Sequence, residues 1–82
     1  MSKTLHIEIV NPAGKIYEGE AVMLIARATN GELGVLPGHA PMLALLEGRP
    51  VRILTTEGER QIPVASGILQ VKAGSEIVIL TA

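Results

Sequence analysis

Apolar and polar residues alternate along much of this chain, which is the pattern of β-strands with one buried face. In the stretch "TLHIEIV" near the start, Leu5, Ile7 and Ile9 share one side, while His6 and Glu8 point to the other. This stretch is predicted to be a strand with one face in a core and one face in water.

The residues after the first strand predict two turns around a short strand. "NPAGK" (residues 11–15) combines Asn-Pro with Gly, which is the chemistry of a tight turn. A short strand is expected at Ile16 and Tyr17, and Gly19 is expected to mark the second turn.

The run "EAVMLIARAT" (residues 20–29) is apolar on both faces at its centre. Val22 and Leu24 face one way, whereas Met23 and Ile25 face the other. Such a run predicts a strand buried on two sides, with one face in the core and the other available to a protein partner.

Two further runs lack a clean alternation. "MLALLEG" (residues 42–48) contains helix-favouring Leu and Ala, but it is confined between Pro41 and Gly48, so a strand is predicted. "EIVIL" (residues 76–80) is a strand that is apolar on both faces.

"VRILTT" (residues 51–56) and "RQIPVAS" (residues 60–66) flank a Gly-bearing turn and predict a hairpin. Pro63 has no N–H to give to a ladder, so its strand is expected to lie at an edge or to contain a bulge. Gly67 interrupts the pattern before the next strand, "ILQVK" (residues 68–72).

The spacing of strands and turns favours an all-β fold. Short strands separated by frequent turns are typical of a small antiparallel β-sandwich or flattened barrel. The 82 residues contain no linker or repeat and are predicted to form a single domain, residues 1–82. A chain of this size hides only about 60–65% of its unfolded surface, so its core is modest.

Composition removes several functional classes. Tyr17 is the single aromatic residue in a chain that is 48% hydrophobic, which disfavours binding by aromatic stacking. The net charge of −1, with no basic cluster, disfavours nucleic-acid binding. The absence of cysteine excludes disulfides and thiolate zinc sites.

The sequence also lacks membrane and export signals. No apolar run approaches the ~20 residues of a membrane span. The start, "MSKTLHIEIV", has no basic region followed by an apolar one, so no signal peptide is predicted. A soluble, cytoplasmic domain is expected.

No catalytic, metal or cofactor site is predicted. His6 and His39 are the only histidines. A zinc site needs three or four converging ligands, which two histidines do not supply. His6 is expected to be solvated. Ser66 lacks the preceding glycine of a nucleophile elbow. "GELGVLPGH" lacks the Lys and hydroxyl of a phosphate-binding loop.

The segment "GELGVLPGHAP" (residues 31–41) concentrates residues with special backbones. Gly31, Gly34 and Gly38 permit positive φ or close approach, and Pro37 and Pro41 fix φ. A stiff loop loses little entropy on docking. Geometry alone fits a docking loop and a strained corner between strands equally well.

The same segment carries a family resemblance. "GELGVLPGHAPML" resembles the signature G-E-L-G-[IV]-L-P-G-H-A-P-L of the epsilon subunit of F-type ATP synthases. "LHIEIVNPAGKIYEGEA" resembles the family's opening strand, turn and F-S-G-E hairpin, with Tyr17 at the aromatic position and Gly19 at the glycine. "GRPVRI" and "VASGILQV" resemble G-x-[VI]-R-[IV] and S-G-G-[FI]-L-E-V, so the resemblance covers essentially the whole chain.

The resemblance implies a β-sandwich of about ten strands in the central stalk of a rotary motor. Such a subunit is not an enzyme; it binds the gamma subunit and the c ring and couples ion flow, in many members hydrogen ion transport, to ATP synthesis or hydrolysis. It implies a peripheral place at the cytoplasmic face of a bacterial inner (plasma) membrane, reached only through the complex.

The family pattern also suggests which residues meet partners. Glu32 is carried over as an acid that faces the c ring, and His39 as a residue that faces gamma. The predicted partner interface comprises Gly31, Glu32, Leu33, Gly34, Pro37, Gly38, His39, Pro41 and Met42.

The sequence departs from the family at three places. Ser66 stands where the family has glycine, and Gln70 where it has glutamate. The chain stops at "VILTA", before the helical hairpin that inhibits ATP hydrolysis and in some members binds ATP. Neither activity is assigned, and the chain is interpreted as a naturally short member or a truncated one.

Two rival functions are kept. One is a free-standing β-sandwich adaptor that binds another protein or a small ligand, which a gene neighbourhood without synthase subunits would favour. The other is a hydrolase that uses His39 and a carboxylate, which requires a pocket that the sequence does not suggest.

Overall fold

The structure is a computed structural model that describes residues 3–82. The described residues form nine β-strands and no helix. The strands are β1 (Leu5–Asn11), β2 (Gly14–Ala21), β3 (Met23–Ala28), β4 (Gly31–Val35), β5 (Met42–Leu46), β6 (Val51–Thr55), β7 (Gly58–Ile62), β8 (Gly67–Lys72) and β9 (Glu76–Thr81). The predicted all-β class is confirmed, with nine strands rather than about ten within residues 3–82.

The strands form one sheet that curls until its ends nearly meet. The order is β2-β1-β9-β8-β5-β3-β6-β7, and β4 pairs with β3 beside this path. Because β2, at one end, contacts β6, near the other end, the sheet is a flattened and almost closed barrel. Within residues 3–82, no helix is long and apolar enough to cross a membrane.

One ladder of the sheet departs from the antiparallel expectation. β1 and β9, the first and last strands, run parallel, whereas the other ladders are antiparallel. In its register Ile7 lies beside Ile77 and Ile9 beside Ile79, and all four side chains are buried. Parallel pairing requires a long connection, which here is the rest of the domain.

The core is aliphatic, as the composition requires. The predicted alternation in β1 is confirmed, since Leu5, Ile7 and Ile9 are fully buried. Other fully buried side chains include Leu24, Val35, Val51, Ile53, Leu69, Val71, Ile77 and Ile79. Each such side chain contributes about 1.5–3 kcal/mol relative to exposure. Interlocking aliphatic side chains therefore stabilise the fold without aromatic rings.

The predicted turn after β1 is confirmed, but the second one is wrong. The Asn11 side-chain oxygen accepts hydrogen bonds from the backbone N–H groups of Ala13 and Gly14, which closes the turn. β2 then runs unbroken through Gly19. A Cβ on Gly19 would lie 3.0 Å from the Tyr17 hydroxyl, so this glycine makes room for the ring instead of bending the chain.

The strands with two apolar faces are buried on only one face. In β3, Leu24 is fully buried while Met23 and Ile25 are half-buried. In β5, Leu43 and Leu45 are 68% and 60% exposed. One face therefore lies in the core, as expected, and the second face is only partly covered within residues 3–82, which leaves it available to a partner.

The predicted hairpin before Pro63 is confirmed as β6 and β7. β7 is the last strand of the sheet path and ends at Ile62, immediately before the proline. Arg52 crosses the hairpin and makes two 2.9 Å hydrogen bonds to the Glu59 carboxylate, which lowers the Glu59 pKa to about 2. β7 is therefore an edge strand, as expected, and Pro63 follows it at a place where no ladder N–H is needed.

Gly67 begins β8 at a point where two backbones nearly touch. It lies opposite Thr81 on β9, and a Cβ added to it would overlap the carbonyl oxygen of Leu80. Ser66, which replaces the first glycine of the family pattern, lies just outside the strand and is exposed. The second glycine is thus the one that this strand contact requires.

Replacing Gly67 by Ala is expected to destabilise the fold by at least about 2 kcal/mol, because a backbone carbonyl cannot move aside as a side chain can. Urea unfolding followed by circular dichroism measures the loss. Gly48→Ala is the matched control, since its Cβ would meet its nearest atom, the Ser66 nitrogen, at an ordinary 3.5 Å. Equal stability of the two variants would contradict the close approach.

Candidate docking site

The segment "GELGVLPGHAP" is only partly a loop. Residues 31–35 form strand β4, so the interpretation of all eleven residues as a loop is wrong. β4 pairs antiparallel with β3, with Leu33 opposite Ala26 and Val35 opposite Leu24. A period of two was present in the sequence, because Leu33 and Val35 face inward while Glu32 and Gly34 face outward.

The connection before β4 explains the first glycine of the segment. Thr29 and Asn30 form a two-residue turn between β3 and β4, and Gly31 follows with φ of 132°. This φ is disfavoured for residues with a Cβ, so Gly31 lets the chain enter the new strand directly. The Asn-Gly pair is a hairpin signal that could have revealed β4 from the sequence.

The next part of the segment is a tight turn. The His39 N–H donates a 3.1 Å hydrogen bond to the Leu36 carbonyl, with Pro37 and Gly38 between them. Gly38 has φ of 84°. Proline followed by a glycine at this φ fits a type II turn, which explains both residue types.

Ser75 fixes this turn from outside the segment. Its hydroxyl accepts a 2.9 Å hydrogen bond from the Gly38 N–H, and its carbonyl accepts one of 2.9 Å from the His6 N–H. Ser75 is held at φ of 61°, the one non-glycine residue with positive φ in residues 3–82. Residues 73–75 were predicted only to form a turn. A contact between residues 37 positions apart leaves no signal in the local sequence pattern, so the role of Ser75 was not predicted.

Glu32 presents its carboxylate to solvent. It is exposed on β4 and lies opposite Arg27 of β3. Within the described residues, the Arg27 side chain pairs instead with Glu47, at 3.7 Å, and Arg49 approaches the same oxygen of Glu47 at 3.7 Å. The Glu32 carboxylate therefore remains available to a partner.

His39 is less open than the sequence suggested. Its side chain is partly buried, and Nδ1 donates a 2.7 Å hydrogen bond to the Ala40 carbonyl oxygen. Of the two residues carried over from the family pattern, Glu32 is exposed and His39 is exposed only in part. The bond through Nδ1 leaves Nε2 for any external contact.

A groove lies beside β4 because β3 and β5 share a single pair, Ala28 with Leu46, and then diverge. The groove has a volume of about 390 Å³ and is lined by residues 28–33 and 42–45. Four predicted interface residues line it: Gly31, Glu32, Leu33 and Met42.

The other predicted interface residues lie outside the groove. Gly34 sits in β4, where the Met23 methyl group covers the place of its missing side chain. Pro37, Gly38, His39 and Pro41 belong to the connection between β4 and β5. Of the nine predicted residues, four line the groove, three belong to the turn, and Gly34 and Pro41 lie in neither.

An exposed apolar strip continues from the groove onto the outer face of the sheet. Leu45, Ile68 and Leu80 lie side by side on β5, β8 and β9, and their exposed fractions are 60%, 41% and 52%. Leu43, 68% exposed, lines the groove itself. An apolar patch of this kind is typical of a protein interaction surface. The runs at residues 42–48 and 76–80 were predicted to be strands without a clean alternation, but their place together in one apolar strip was not predicted.

Chemical features are sparse in comparison. Within residues 3–82, no three His, Asp or Glu side chains are arranged to hold a metal ion. The groove is lined by the apolar side chains of Leu33, Met42, Leu43 and Leu45, by the polar side chains of Thr29 and Asn30, and by the single carboxylate of Glu32. This surface is suited to docking, since it combines apolar and polar groups with one acid and has a fixed turn beyond it.

The nearly closed sheet defines the class as a small β-sandwich or flattened barrel, and comparisons give its family. Residues 4–82 match the family of the ATP synthase Delta/Epsilon chain, beta-sandwich domain. The chain belongs to this family, as the resemblance of its residues indicated.

Two bacterial relatives are similar in sequence. The ATP synthase epsilon chain of Streptomyces avermitilis is 42% identical over 67 residues, which are 82% of this chain and 54% of that protein. The epsilon chain of Acinetobacter baumannii (strain ATCC 17978) is 43% identical over 70 residues, 84% of this chain and 50% of that protein. The chain therefore spans about half the length of these relatives.

Solved structures share the fold at low sequence identity. A chain in the OSCP/F1/c-ring structure of the Euglena gracilis mitochondrial ATP synthase matches with a TM-score of 0.89 at 19% identity, over 99% of this chain and 52% of that one. A chain of the Tetrahymena thermophila central stalk and c-ring matches with a TM-score of 0.75 at 16% identity, over 94% and 62%. These matches support the fold.

Replacing Ser75 by Ala is expected to free the turn at Gly38 and to cost about 0.5–1.5 kcal/mol of stability, because one hydrogen bond is lost. Ser75→Gly loses the same bond but relieves left-handed strain of about 1 kcal/mol, so it is expected to be the more stable variant. Amide exchange at Gly38 and urea unfolding measure the two effects. Unchanged Gly38 exchange in both variants would show that Ser75 does not hold the turn.

Proposed function

We propose that this chain is a non-catalytic subunit of the central stalk of an F-type ATP synthase, which binds the gamma subunit and the c ring. The observation that carries the proposal is the place of the family signature: it forms β4 and the Pro37–Gly38 turn beside the groove and the apolar strip. The family match supports this role, as do two structural neighbours from structures that contain the c-ring.

The architecture suits a part that transmits torque. The sheet curls on itself and its core is packed with Ile, Leu and Val, so the body resists bending. The docking turn is stiffened by Pro37 and by the hydrogen bond from the Gly38 N–H to the Ser75 hydroxyl. In this role the chain couples rotation of gamma to ion flow through the c ring and performs no covalent chemistry.

The two partners are assigned to adjoining parts of one surface, which meet at the groove lined by Glu32, Leu43 and Leu45. Glu32, exposed beside the groove, is proposed to face the polar loops of the c ring. His39, in the connection at the other end of β4, is proposed to face gamma. Leu43 and Leu45 of the exposed face of β5 supply apolar area for the gamma contact.

The proposed location follows from the complex. The epsilon-type subunit would be peripheral, at the cytoplasmic face of a bacterial inner membrane, and held there only by gamma and the c ring. Inhibition of ATP hydrolysis and ATP binding belong to the helical hairpin of family members and form no part of this proposal.

Replacing Glu32 by Lys is expected to weaken assembly with the c ring by tenfold or more, since a charge reversal at a contact costs about 2 kcal/mol or more. His39→Ala is expected to weaken binding to gamma. Co-purification of tagged chain with gamma and with the c ring, in membranes that contain the synthase, measures the two contacts separately. Circular dichroism is expected to show an intact fold in both variants.

Glu57→Lys is the matched control for charge, because Glu57 lies in the exposed β6–β7 turn. It is expected to assemble normally. A wild-type chain that binds neither gamma nor the c ring would overturn the proposal and favour the free-standing β-sandwich adaptor. An intact assembly with Glu32→Lys would remove Glu32 from the interface while leaving the subunit's role in place.

A further inference from the structure

The His6 side chain lies between two carboxylates on the outer face of the β1–β2 hairpin. Its Nδ1 is 2.8 Å from a Glu20 oxygen, and its Nε2 is 2.8 Å from a Glu18 oxygen. Glu20 is the direct cross-strand partner of His6, and Glu18 is the diagonal one. The imidazole therefore connects two positions of β2 to one position of β1.

This geometry specifies the protonation state of the ring. An ionised carboxylate can only accept hydrogen bonds, so each of the two ring nitrogens must carry a proton to donate. The ring that fits the site is the imidazolium cation. A neutral ring would keep one bond and would turn a nitrogen lone pair toward the other carboxylate, which is repulsive.

The two carboxylates are themselves held in place. The Lys15 ammonium lies 2.6 Å from Glu18 and 2.9 Å from Glu8, so it fixes Glu18 from the side away from the imidazole. The Thr4 hydroxyl donates a 2.6 Å hydrogen bond to Glu20. Because both acids have a second partner, they do not need to move when the ring changes its charge.

The other neighbour of β1 adds to the acidic surroundings. On β9, Glu76 is the cross-strand partner of His6, and Lys72 of β8 lies opposite Glu76. The ring is thus faced by acids on β2 and β9, with Glu8 two positions along its own strand. The charged surroundings favour the cation on balance.

The position of the cluster in the sheet gives it a consequence. β2 ends the sheet path, and its ladder to β1 is the one that attaches it to the sheet. The backbone of His6 is fixed separately, by its N–H bond to the Ser75 carbonyl. A change at the imidazole therefore acts on the pairing of β2 and leaves β1 anchored.

We propose that His6, Glu18 and Glu20 form a proton-operated clasp, the His6 clasp, which fastens β2 to β1 while the imidazole carries two protons and loosens when one proton leaves. The proposal is independent of the docking function, because Glu18 and Glu20 lie outside the groove and outside the signature segment.

The pH window of the clasp follows from its groups. The hydrogen bonds to Glu20 and then to Glu18 raise the His6 pKa above 6.5, so the contribution of the imidazolium is fully present below pH 6.5 and is lost as the pH rises through the raised pKa. Lys15 first and then His6 lower the Glu18 pKa, and Thr4 first and then His6 lower that of Glu20. The acid contribution is therefore lost only below their ordinary value of 4.5.

The test is an NMR titration of the intact chain. The His6 ring protons are expected to titrate with a midpoint above 6.5, and Glu18→Gln or Glu20→Gln is expected to lower this midpoint. Glu57→Gln, which removes an exposed acid of the β6–β7 turn, is expected to leave it unchanged. A wild-type midpoint at or below 6.5 would overturn the proposal.

Hydrogen exchange tests the clasp itself and not only the charge. Protection factors of the β2 amides, corrected for intrinsic exchange, are expected to fall about two- to five-fold as His6 loses its proton, with no matching fall in β8. His6→Gln is expected to remove this pH dependence. Equal β2 protection on both sides of the His6 titration, or the same pH dependence in His6→Gln, would overturn the clasp.

Discussion

The parallel ladder between β1 and β9 is the constraint on which the rest of the structure depends. Within the described residues, it is the ladder that joins the β1–β2 hairpin to the remaining strands. It places Ile7 against Ile77 and Ile9 against Ile79, so both ends of the chain enter one aliphatic core. Because β1 and β9 are far apart along the chain, forming the ladder costs loop-closure entropy, which the packing of the strands between them offsets.

The same closure organises the docking surface. The β8–β9 turn lies beside β1 and also reaches the signature segment, where Ser75 accepts the Gly38 N–H. β5 diverges from β3 after the pair of Ala28 and Leu46, which opens the groove beside β4. The proposed contacts with gamma and the c ring thus belong to a surface fixed by long-range backbone pairing, as a stiff rotor part requires.

Much of the fold could be predicted from local patterns. The alternation around Ile7, the turn at Asn11, the hairpin before Pro63 and the all-β class are confirmed. The errors arose where the outcome depends on a side-chain contact or on strand order, which the local pattern does not contain. Gly19 was expected to bend the chain, but it accommodates the Tyr17 ring. The candidate site was found as a segment, but its division into β4 and a turn was not.

By itself, the sequence determined the aliphatic core, the positions of most strands and the family, because these depend on residue types and short-range periodicity. The tertiary structure decided what those residues meet. The outward faces of Leu45, Ile68 and Leu80 became one exposed strip only through the order of β5, β8 and β9. The hydrogen bond from Gly38 to Ser75 likewise joins residues that are distant in the sequence. Hydrogen bonds and apolar contacts act between neighbours in space, whereas local sequence patterns show only neighbours along the chain.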